Sequence, residues 1–367
     1  MRRSGFAVVA VVLMMLAGGG VVAGVTAADQ PTQLADGQPA QPSDVQSAQP
    51  ADCSYPIEVT DATGETVTIE DRPERIVAVA PSAAQTAWAI GAQDRVVGMP
   101  TGYTTAYLNG TENKTNVLNS ELKPDIEKVV GQEPDIVLAG NINTNQSVQS
   151  MRDADLTVVK FETASSMEDV IAKTRLTGRV LGNCDGAAQV NTAMNETIEQ
   201  VRAEARGGGE PTVYYAMGGG YTAGSETFIG DVLSTAGGEN IASAADIAAY
   251  GQISQEVIVA ENPDWIVTTN PQNIRWGEAI NSTTAVQEDQ IVTVNGNYMS
   301  QPGPRITRPL QKLSDAFNPD ESNRTTAGTD TQETTDSEDT GSGFGPGFGV
   351  VGALIALASA GLVSRRR

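Results

Sequence analysis

The chain has 367 residues, with 45 acidic and 23 basic side chains, a formal net charge of −22 and no histidine. An acidic chain with no basic run outside its two ends is not expected to bind nucleic acid. The lack of histidine excludes Ser-His-Asp and Cys-His catalysis, HExxH metalloproteases and most zinc sites. We therefore predict a non-enzyme with no catalytic residue and no metal site. Few lysines and many acids are typical of a protein that works in concentrated salt.

Residues 1–27 have the pattern of a secretory signal peptide. Two arginines precede an apolar core, and small residues end the segment at Ala27. An uncleaved N-terminal membrane helix is the alternative. Residues 28–52 are rich in Pro, Gln, Ala and Asp and are predicted to form a disordered linker. The remainder is then expected outside the cell.

Residues 53–165 are predicted to form an N-terminal lobe. Its apolar runs read as buried parallel strands at 75–82, 95–100, 135–140 and 156–161. Its helical segments lie between them at 83–91, 123–132 and 145–155. Strands that alternate with helices in this way predict a parallel sheet with helices on both faces.

Residues 166–207 contain no strand signal, and their apolar positions follow helical spacing until the GGGE at 207–210. Strand and helix patterns resume over residues 208–318, which we predict form a C-terminal lobe. The predicted fold class is therefore α/β. Two lobes, each with a mostly parallel central sheet flanked by helices, are joined by a single long connecting helix.

The C-terminal part resembles a tether and a membrane signal in its composition. Residues 319–345 carry seven acids and one arginine, and self-repulsion is expected to keep them extended. Residues 346–367 hold a short apolar run followed by three arginines. As a helix, the run from Gly349 to Val363 spans about 22 Å, short of the roughly 30 Å hydrocarbon core of a bilayer.

Two features fit an exported chain. Its only two cysteines, Cys53 and Cys184, are expected to form a structural disulfide, with two free thiols as the alternative. The Asn-x-Ser/Thr triplets that glycosylation requires begin at Asn109, Asn113, Asn145, Asn195, Asn281 and Asn323.

Candidate ligand-binding residues follow the predicted strands. In open α/β sheets, ligands bind beyond the carboxyl ends of the strands, and aromatic side chains with backbone amides there suit a large, flat, partly polar ligand. Side chains that only pack at the rim are the alternative. The candidates are Ser82, Tyr103, Tyr107, Asn141, Tyr221, Tyr250, Trp276, Tyr298 and Arg305.

Four stretches resemble the substrate-binding proteins of ABC importers for cobalamin, ferric siderophores and haem. They are VTDATGETVTIEDRPERIVAVAPSAAQTAWAIGAQDRVVGM (59–99), KPDIEKVVGQEPDIVLAG (123–140), GGGYTAGSETFIGDVLSTAGGENIA (218–242) and YGQISQEVIVAENPDWIV (250–267). The resemblance implies two lobes with little hinge closure, an inter-lobe ligand that is cargo rather than a cofactor, and delivery to a permease with its ATPase. A monomer is expected.

The resemblance also implies docking residues. In that family, an acidic side chain on each lobe of the binding protein contacts arginines of the permease. The second-lobe position matches Glu256, for which an ordinary acid at a helix N-terminus is the alternative. The first-lobe position falls on Gln85, which departs from the family pattern.

The C-terminal segment resembles the PGF-type sorting signals of archaeal surface proteins. It has Pro346-Gly347-Phe348, an apolar run and the final arginines. By analogy with GPI processing, such a tail is removed and replaced by a lipid anchor. An uncleaved membrane helix is the alternative, and both place the protein at the outer face of the cell membrane.

Charge in the candidate loops favours a corrinoid ligand. Ferric siderophores are often anionic and haem carries propionates, so both favour cationic side chains in a cleft. The candidate loops are basic only at Arg275, Arg305 and Arg308. A ferric siderophore or haem is the alternative ligand, and a surface sensor or adhesion module without a permease is the alternative function.

Overall fold

Parallel strands form the centre of both lobes. The structure, a computed structural model, describes residues 53–274 and 276–319. The central strands of the N-terminal lobe are buried along their length, so they are continuous apolar runs rather than alternating ones. Both main sheets are parallel throughout. The predicted α/β class is confirmed.

The N-terminal lobe contains seven strands and three α-helices. Its strands are β1 (Ile57–Thr60), β2 (Thr66–Ile69), β3 (Ile76–Ala78), β4 (Val96–Met99), β5 (Thr115–Asn116), β6 (Ile136–Ala139) and β7 (Val158–Lys160). Its helices are α1 (Pro81–Ala89), α2 (Ile126–Val130) and α3 (Asn145–Arg152). The sheet has the order β5-β4-β3-β6-β7, and β1 pairs with β2 in an antiparallel hairpin.

The connector consists of two helices, α4 (Met167–Leu181) and α5 (Cys184–Gly207), so the prediction of a single long helix is corrected. Gly182 ends α4 in the left-handed conformation with φ 63°, which costs a glycine little and reverses the chain. The helices then pack side by side, and Asn191 Nδ2 on α5 donates to the Ile171 carbonyl on α4 at 3.0 Å.

The C-terminal lobe repeats the parallel arrangement. Its strands are β8 (Thr212–Ala216), β9 (Tyr221–Ala223), β10 (Glu239–Asn240), β11 (Tyr250–Gln252), β12 (Trp265–Thr268) and β13 (Ile291–Thr293). Its helices are α6 (Phe228–Thr235), α7 (Gln255–Glu261), α8 (Glu278–Asn281), α9 (Thr284–Gln287), α10 (Gly296–Met299) and α11 (Thr307–Phe317). The main sheet has the order β10-β8-β12-β13, and β9 pairs with β11 in an antiparallel hairpin.

The connector belongs to the core of both lobes. Leu181 of α4 is buried in the N-terminal core, and Val201 of α5 is buried in the C-terminal core. Gly186 of α5 lies so close to the end of α1 that a Cβ there would be 2.1 Å from the Ile90 carbonyl oxygen. This close approach shows that α5 is packed tightly against the N-terminal lobe.

The predicted disulfide is present. Cys53, at the start of the N-terminal lobe, is bonded to Cys184, the first residue of α5, with 6.1 Å between their Cα atoms. The bond closes a loop with a sequence separation of 131 residues. It fastens the first described residue of the chain to the connector.

Several predictions fall outside the described residues. These are the signal peptide at 1–27, the linker at 28–52, the tether from 320 to 345 and the sorting segment at 346–367, together with Arg275 and Asn323. Within the residues that are described, no helix combines the length and the apolar character needed to cross a bilayer.

Candidate functional site

A cleft lies where the carboxyl ends of the strands in the two lobes meet. The N-terminal lobe contributes the residues after β3, β4 and β6, and the C-terminal lobe contributes those after β12 and β13. This is the place expected for a ligand in open parallel sheets. The cleft has two adjoining compartments that share Asn141, Ile142, Ser300 and Pro302.

The first, which we call the polar compartment, has a volume of about 360 Å³. None of its lining residues carries a formal charge. Its walls offer both hydrogen-bond donors and acceptors, which suits a ligand rich in amide or hydroxyl groups. The hydroxyl and amide side chains that line it are Ser82, Tyr103, Thr104, Asn141, Thr269, Asn297, Ser300 and Gln301.

The second, which we call the apolar compartment, has a volume of about 320 Å³. Glu226 is the single charged residue that lines it. Methionine and aromatic walls adapt to flat apolar groups, and the carboxylate can accept hydrogen bonds from a ligand. The large apolar side chains here are Met217, Phe228, Ile229, Tyr250 and Met299.

Gln85 is fully buried and bonds to both lobes. Its Nε2 donates to the Tyr107 hydroxyl at 2.9 Å, and its Oε1 accepts the Arg305 backbone N–H at 3.0 Å. The Tyr107 hydroxyl donates in turn to Gln301 Oε1 at 2.8 Å. Because both ends of the amide are used inside the protein, Gln85 does not reach a docking surface, and its assignment to permease docking is wrong.

Three of the ligand candidates pack across the lobe boundary instead of lining the cleft compartments. The rings of Tyr107 and Tyr298 meet edge to face with centroids 5.1 Å apart. The Arg305 guanidinium lies 5.2 Å from the Tyr107 ring centroid, which makes a cation–π contact. Burial raises the pKa of Tyr107 above its usual value, so it stays a hydrogen-bond donor at neutral pH. None of the three lines either compartment, and their contact with a ligand stays a prediction.

The remaining candidates divide into two groups. Ser82, Tyr103, Asn141 and Tyr250 line the cleft, and their contact with a ligand stays a prediction. The other two, Tyr221 and Trp276, are about half exposed and line neither compartment.

Sequence reasoning missed Thr269, Asn297 and Gln301, although a signal for them was present. Thr269 directly follows β12, and the segment that holds Asn297 and Gln301 follows β13. The same strand-end rule that selected Asn141 applies to both loops. The candidates in these two loops were Trp276, Tyr298 and Arg305, so their amide and hydroxyl side chains were not among them.

Lys173 of α4 supports the cleft loop. Its Nζ donates to the carbonyl of Pro302, a residue that lines both compartments. Burial lowers the pKa of Lys173 to about 8. Within the described part of the chain, Lys173 takes part in no ion pair. Burial of its ammonium group therefore costs desolvation free energy, and no ion pair with a carboxylate offsets this cost.

We expect the protein to become more stable as the pH rises from 7 to 9.5, by about 2 kcal/mol from Lys173 alone. The pKa of this lysine is about 8 when folded and 10.5 for the free group, so the unfolded chain binds more protons in this range. The cost of burying the ammonium is fully present below pH 8 and is relieved above it. Chemical denaturation of wild type and Lys173→Met at constant molar salt measures the difference.

Lys312→Met is the control, because Lys312 is an exposed lysine on α11. It should retain the wild-type rise in stability, whereas Lys173→Met should lose it. An equal rise in all three proteins would show that Lys173 does not cause it.

The two lobes carry matching exposed acids. Asp125 caps α2 and Ser254 caps α7, and Glu127 and Glu256 are the second residues of these helices. Each helix leads to a central strand, β6 or β12, and both acids are exposed. This internal correspondence makes Glu127, not Gln85, the first-lobe counterpart of Glu256. The sequence shows the same order in both lobes. A capping residue is followed by one other residue and then by Glu, and Pro-Asp comes later, just before the strand.

Two other predicted kinds of site stand as follows. The described residues hold no group of acidic and cysteine side chains arranged to bind a metal ion. The sequon asparagines within them are all exposed: Asn109, Asn113, Asn145, Asn195 and Asn281.

Comparison with known proteins agrees with this geometry. Residues 76–298 match the family model described as periplasmic binding protein. A cobalamin-binding protein of Halobacterium salinarum is 37% identical, over 86% of this chain and 89% of that protein. An ABC transporter substrate-binding lipoprotein of Bacillus subtilis is 27% identical, over 72% of this chain and 87% of that protein.

Solved structures share the fold. The periplasmic vitamin B12 binding protein of Vibrio cholerae aligns with a TM-score of 0.56 at 20% identity, covering 67% of this chain and 96% of that one. The heme binding protein HmuT aligns with a TM-score of 0.60 at 18% identity, covering 73% and 92%. At this level of identity the likeness concerns the fold alone. With its two parallel-sheet lobes and the match over residues 76–298, the chain belongs to the periplasmic binding protein family.

Proposed function

We propose that the protein is an extracellular substrate-binding protein of an ABC importer that captures cobalamin in the cleft between its lobes. Its relatives are binding proteins rather than enzymes, so the ligand is cargo and not a cofactor. The relative from Halobacterium salinarum is a cobalamin-binding protein, and the acidic composition fits the same saline setting.

The choice of cobalamin as the ligand rests on the charge of the residues that line the cleft. Among the described residues that line the two compartments, Glu226 is charged and none is a cation. Cobalamin is a large amphipathic molecule with many amide groups and little net charge, so hydroxyl and amide walls can bind its edge while methionine and aromatic walls contact its apolar parts. The chain has no histidine, so no imidazole can bind the cobalt.

Haem or a ferric siderophore fits this cleft less well. Their carboxylates or other anionic groups favour arginine or lysine at the contact. Arg305 and Arg308 instead stack on tyrosine rings at the lobe boundary, at 5.2 and 5.4 Å from the ring centroids. An anionic ligand would meet the carboxylate of Glu226 without a cation to balance it.

Delivery is proposed to occur through an ABC permease with its ATPase, with Glu127 and Glu256 as the docking acids of the two lobes. Both are exposed, and neither belongs to an ion pair among the residues described. A basic side chain of the permease would therefore not have to displace an existing partner. The surface sensor stays as an alternative that predicts no such partner.

We propose that the protein is held at the outer face of the cell membrane. The signal pattern of residues 1–27 and the tail at 346–367 support export and C-terminal anchoring. Mass spectrometry of protein released from native membranes tests this proposal. An intact C-terminus ending at Arg367 would contradict processing of the tail, and the same spectra identify which sequons carry glycans.

Calorimetric titration in molar salt tests the ligand. We expect saturable binding of cyanocobalamin and no binding of haem or of a panel of ferric siderophores. Asn141→Ala should weaken cobalamin binding about tenfold, because Asn141 lines both compartments and a lost polar contact costs on the order of 1 kcal/mol.

Asn195→Ala is the matched control, because this asparagine is exposed on α5 and lines neither compartment. It should bind cobalamin as the wild type does. Binding of a ferric complex alone would keep the importer function and reverse the choice of ligand. Absence of binding to every compound would contradict the proposed function.

A further inference from the structure

The loop at residues 300–303 forms part of the wall of both cleft compartments. Ser300 and Pro302 line the polar and the apolar compartment, and Gln301 lines the polar one. A ligand that occupies either compartment therefore lies next to this loop. The position of the loop affects the shape of both compartments at once.

Three other parts of the protein hold this loop. Gln301 is bonded to the loop after β4, since its Nε2 donates to the Thr104 carbonyl at 2.9 Å. A Cβ at Gly303 would lie 2.5 Å from a side-chain oxygen of α1, so the loop is packed closely against that helix. The third support comes from the connector, where Lys173 Nζ on α4 donates to the Pro302 carbonyl. Of these three supports, only the one from Lys173 carries a charge.

The ammonium group of Lys173 is costly to the fold at this place. Burial lowers its pKa to about 8, and it forms no ion pair within the described residues. An apolar side chain of similar length would fill the same space without this desolvation cost. Buried groups with a perturbed pKa and a cost in stability are concentrated at functional sites. Lys173 contacts a residue that lines both compartments, so the ligand site is the function that it is placed to serve.

The charged groups on the elements around α4 are engaged elsewhere. This helix packs against α1, α5, α6 and the turn Pro304–Ile306, and α1 carries no charged side chain. Asp231 on α6 accepts a backbone N–H at the start of α4, and Arg202 on α5 forms an ion pair with the first turn of α4. The other charged side chains of α5 are exposed, and Arg305 in the turn lies over a tyrosine ring. Burial, and not a neighbouring charge, is the cause of the lowered pKa of Lys173.

We propose that Lys173 is a positioning residue of the ligand site, which holds the loop at 300–303 in place through the Pro302 carbonyl and loosens it when the ammonium group loses its proton. This inference rests on the proposed function, since cobalamin is taken as the ligand.

The protonation state of Lys173 then has opposite effects on stability and on ligand binding. A desolvated ammonium group binds a carbonyl oxygen more strongly than a neutral amine does. The loop is therefore held more firmly below pH 8 than above it, while the desolvation cost to the fold is also present below pH 8. As the pH rises from 7 to 9, the protein becomes more stable and binds its ligand more weakly. A residue that only stabilised the fold would not produce this divergence.

Calorimetric titration of the full chain with cyanocobalamin at pH 7, 8 and 9 in molar salt tests the proposal. We expect the affinity of the wild type to fall about threefold from pH 7 to 9. Because the protonated form binds better, about 0.3 of a proton should be taken up per ligand at pH 8, and titrations in two buffers of different ionisation enthalpy measure this uptake. The chain has no histidine and its two cysteines are bonded to each other, so neither imidazoles nor thiols contribute.

Lys173→Met removes both the charge and the hydrogen-bond donor. At pH 7 this variant should be at least as stable as the wild type, because the desolvation cost is gone, so the fold is not endangered. It should bind cyanocobalamin about fivefold more weakly at pH 7, with neither the pH dependence nor the proton uptake. Lys312→Met is the matched control, because Lys312 also donates to a backbone carbonyl, that of Thr293 at 2.8 Å, but is exposed. It should keep the affinity and the pH dependence of the wild type.

Two results would overturn the positioning role and leave the proposed function intact. One is an affinity of Lys173→Met equal to that of the wild type at all three pH values. The other is a wild-type affinity that stays constant or rises with pH. If the wild type fails to bind cyanocobalamin at every pH, the positioning role and the proposed function both fail.

Discussion

Removal of the Cys53–Cys184 disulfide is expected to lower the free energy of unfolding by about 5 kcal/mol, on the chain-entropy relation for a loop of this length. The sequence separation is 131 residues, so the bond restricts a large part of the unfolded chain. A domain is typically stable by about 5–15 kcal/mol, so this loss is a large fraction of the total. The fold should therefore become marginal without the bond.

The double variant Cys53→Ala/Cys184→Ala measures the effect by chemical denaturation in molar salt. Wild type treated with a reductant serves as the second measurement, and the variant should not respond to that reductant. Both cysteines lie away from the residues that line the cleft, so the folded variant should keep its cobalamin affinity. A loss of less than about 1 kcal/mol, or alkylation of both thiols without reductant, would contradict the prediction.

The central strands were predictable because a strand that is buried on both faces is a continuous apolar run in the sequence. Ile136–Ala139 is apolar at every position and buried at every position. The break in the connector was harder to foresee, because two packed helices and one long helix give the same apolar spacing. The Gly182-Asn183 pair was the local signal, and a glycine within a helical pattern marks either a helix end or a tolerated interruption.

The site was predictable only where it follows from topology. The strand-end rule located Ser82, Tyr103 and Asn141, since it depends on the order of strands and loops. The burial of Gln85 depends on Tyr107 of the same lobe and Arg305 of the other. Contacts between segments 220 residues apart leave no periodic pattern in either one.

The hydrogen-bond chain at the lobe boundary predicts limited hinge motion. Gln85 and Tyr107 of the N-terminal lobe are bonded to Arg305 and Gln301 of the C-terminal lobe. Opening the lobes would break these bonds, which opposes the motion. Gln301 also lines the polar compartment, but its amide is bonded within the protein, because Oε1 accepts from Tyr107 and Nε2 donates to the Thr104 carbonyl at 2.9 Å.

Reversal of the two proposed docking acids, Glu127 and Glu256, is expected to reduce uptake far more than it changes ligand binding. Glu127 and Glu256 are exposed and line neither compartment, so Glu127→Arg/Glu256→Arg should bind cobalamin normally. In molar salt the screening length is about 3 Å, so only charges in direct contact matter. Two cations placed against basic groups of the permease then repel it at contact range, and we expect uptake by cells to fall at least about tenfold.

Glu199→Arg provides the matched control, because it makes the same charge change at an exposed position on α5 that is unrelated to either helix start. Cells that express this variant should take up cobalamin at the wild-type rate. Each single reversal should be intermediate, since one lobe would still dock. Normal uptake with the double reversal would remove both acids from the docking surface, and an additional loss of cobalamin affinity would mean that the substitutions disturb the lobes themselves.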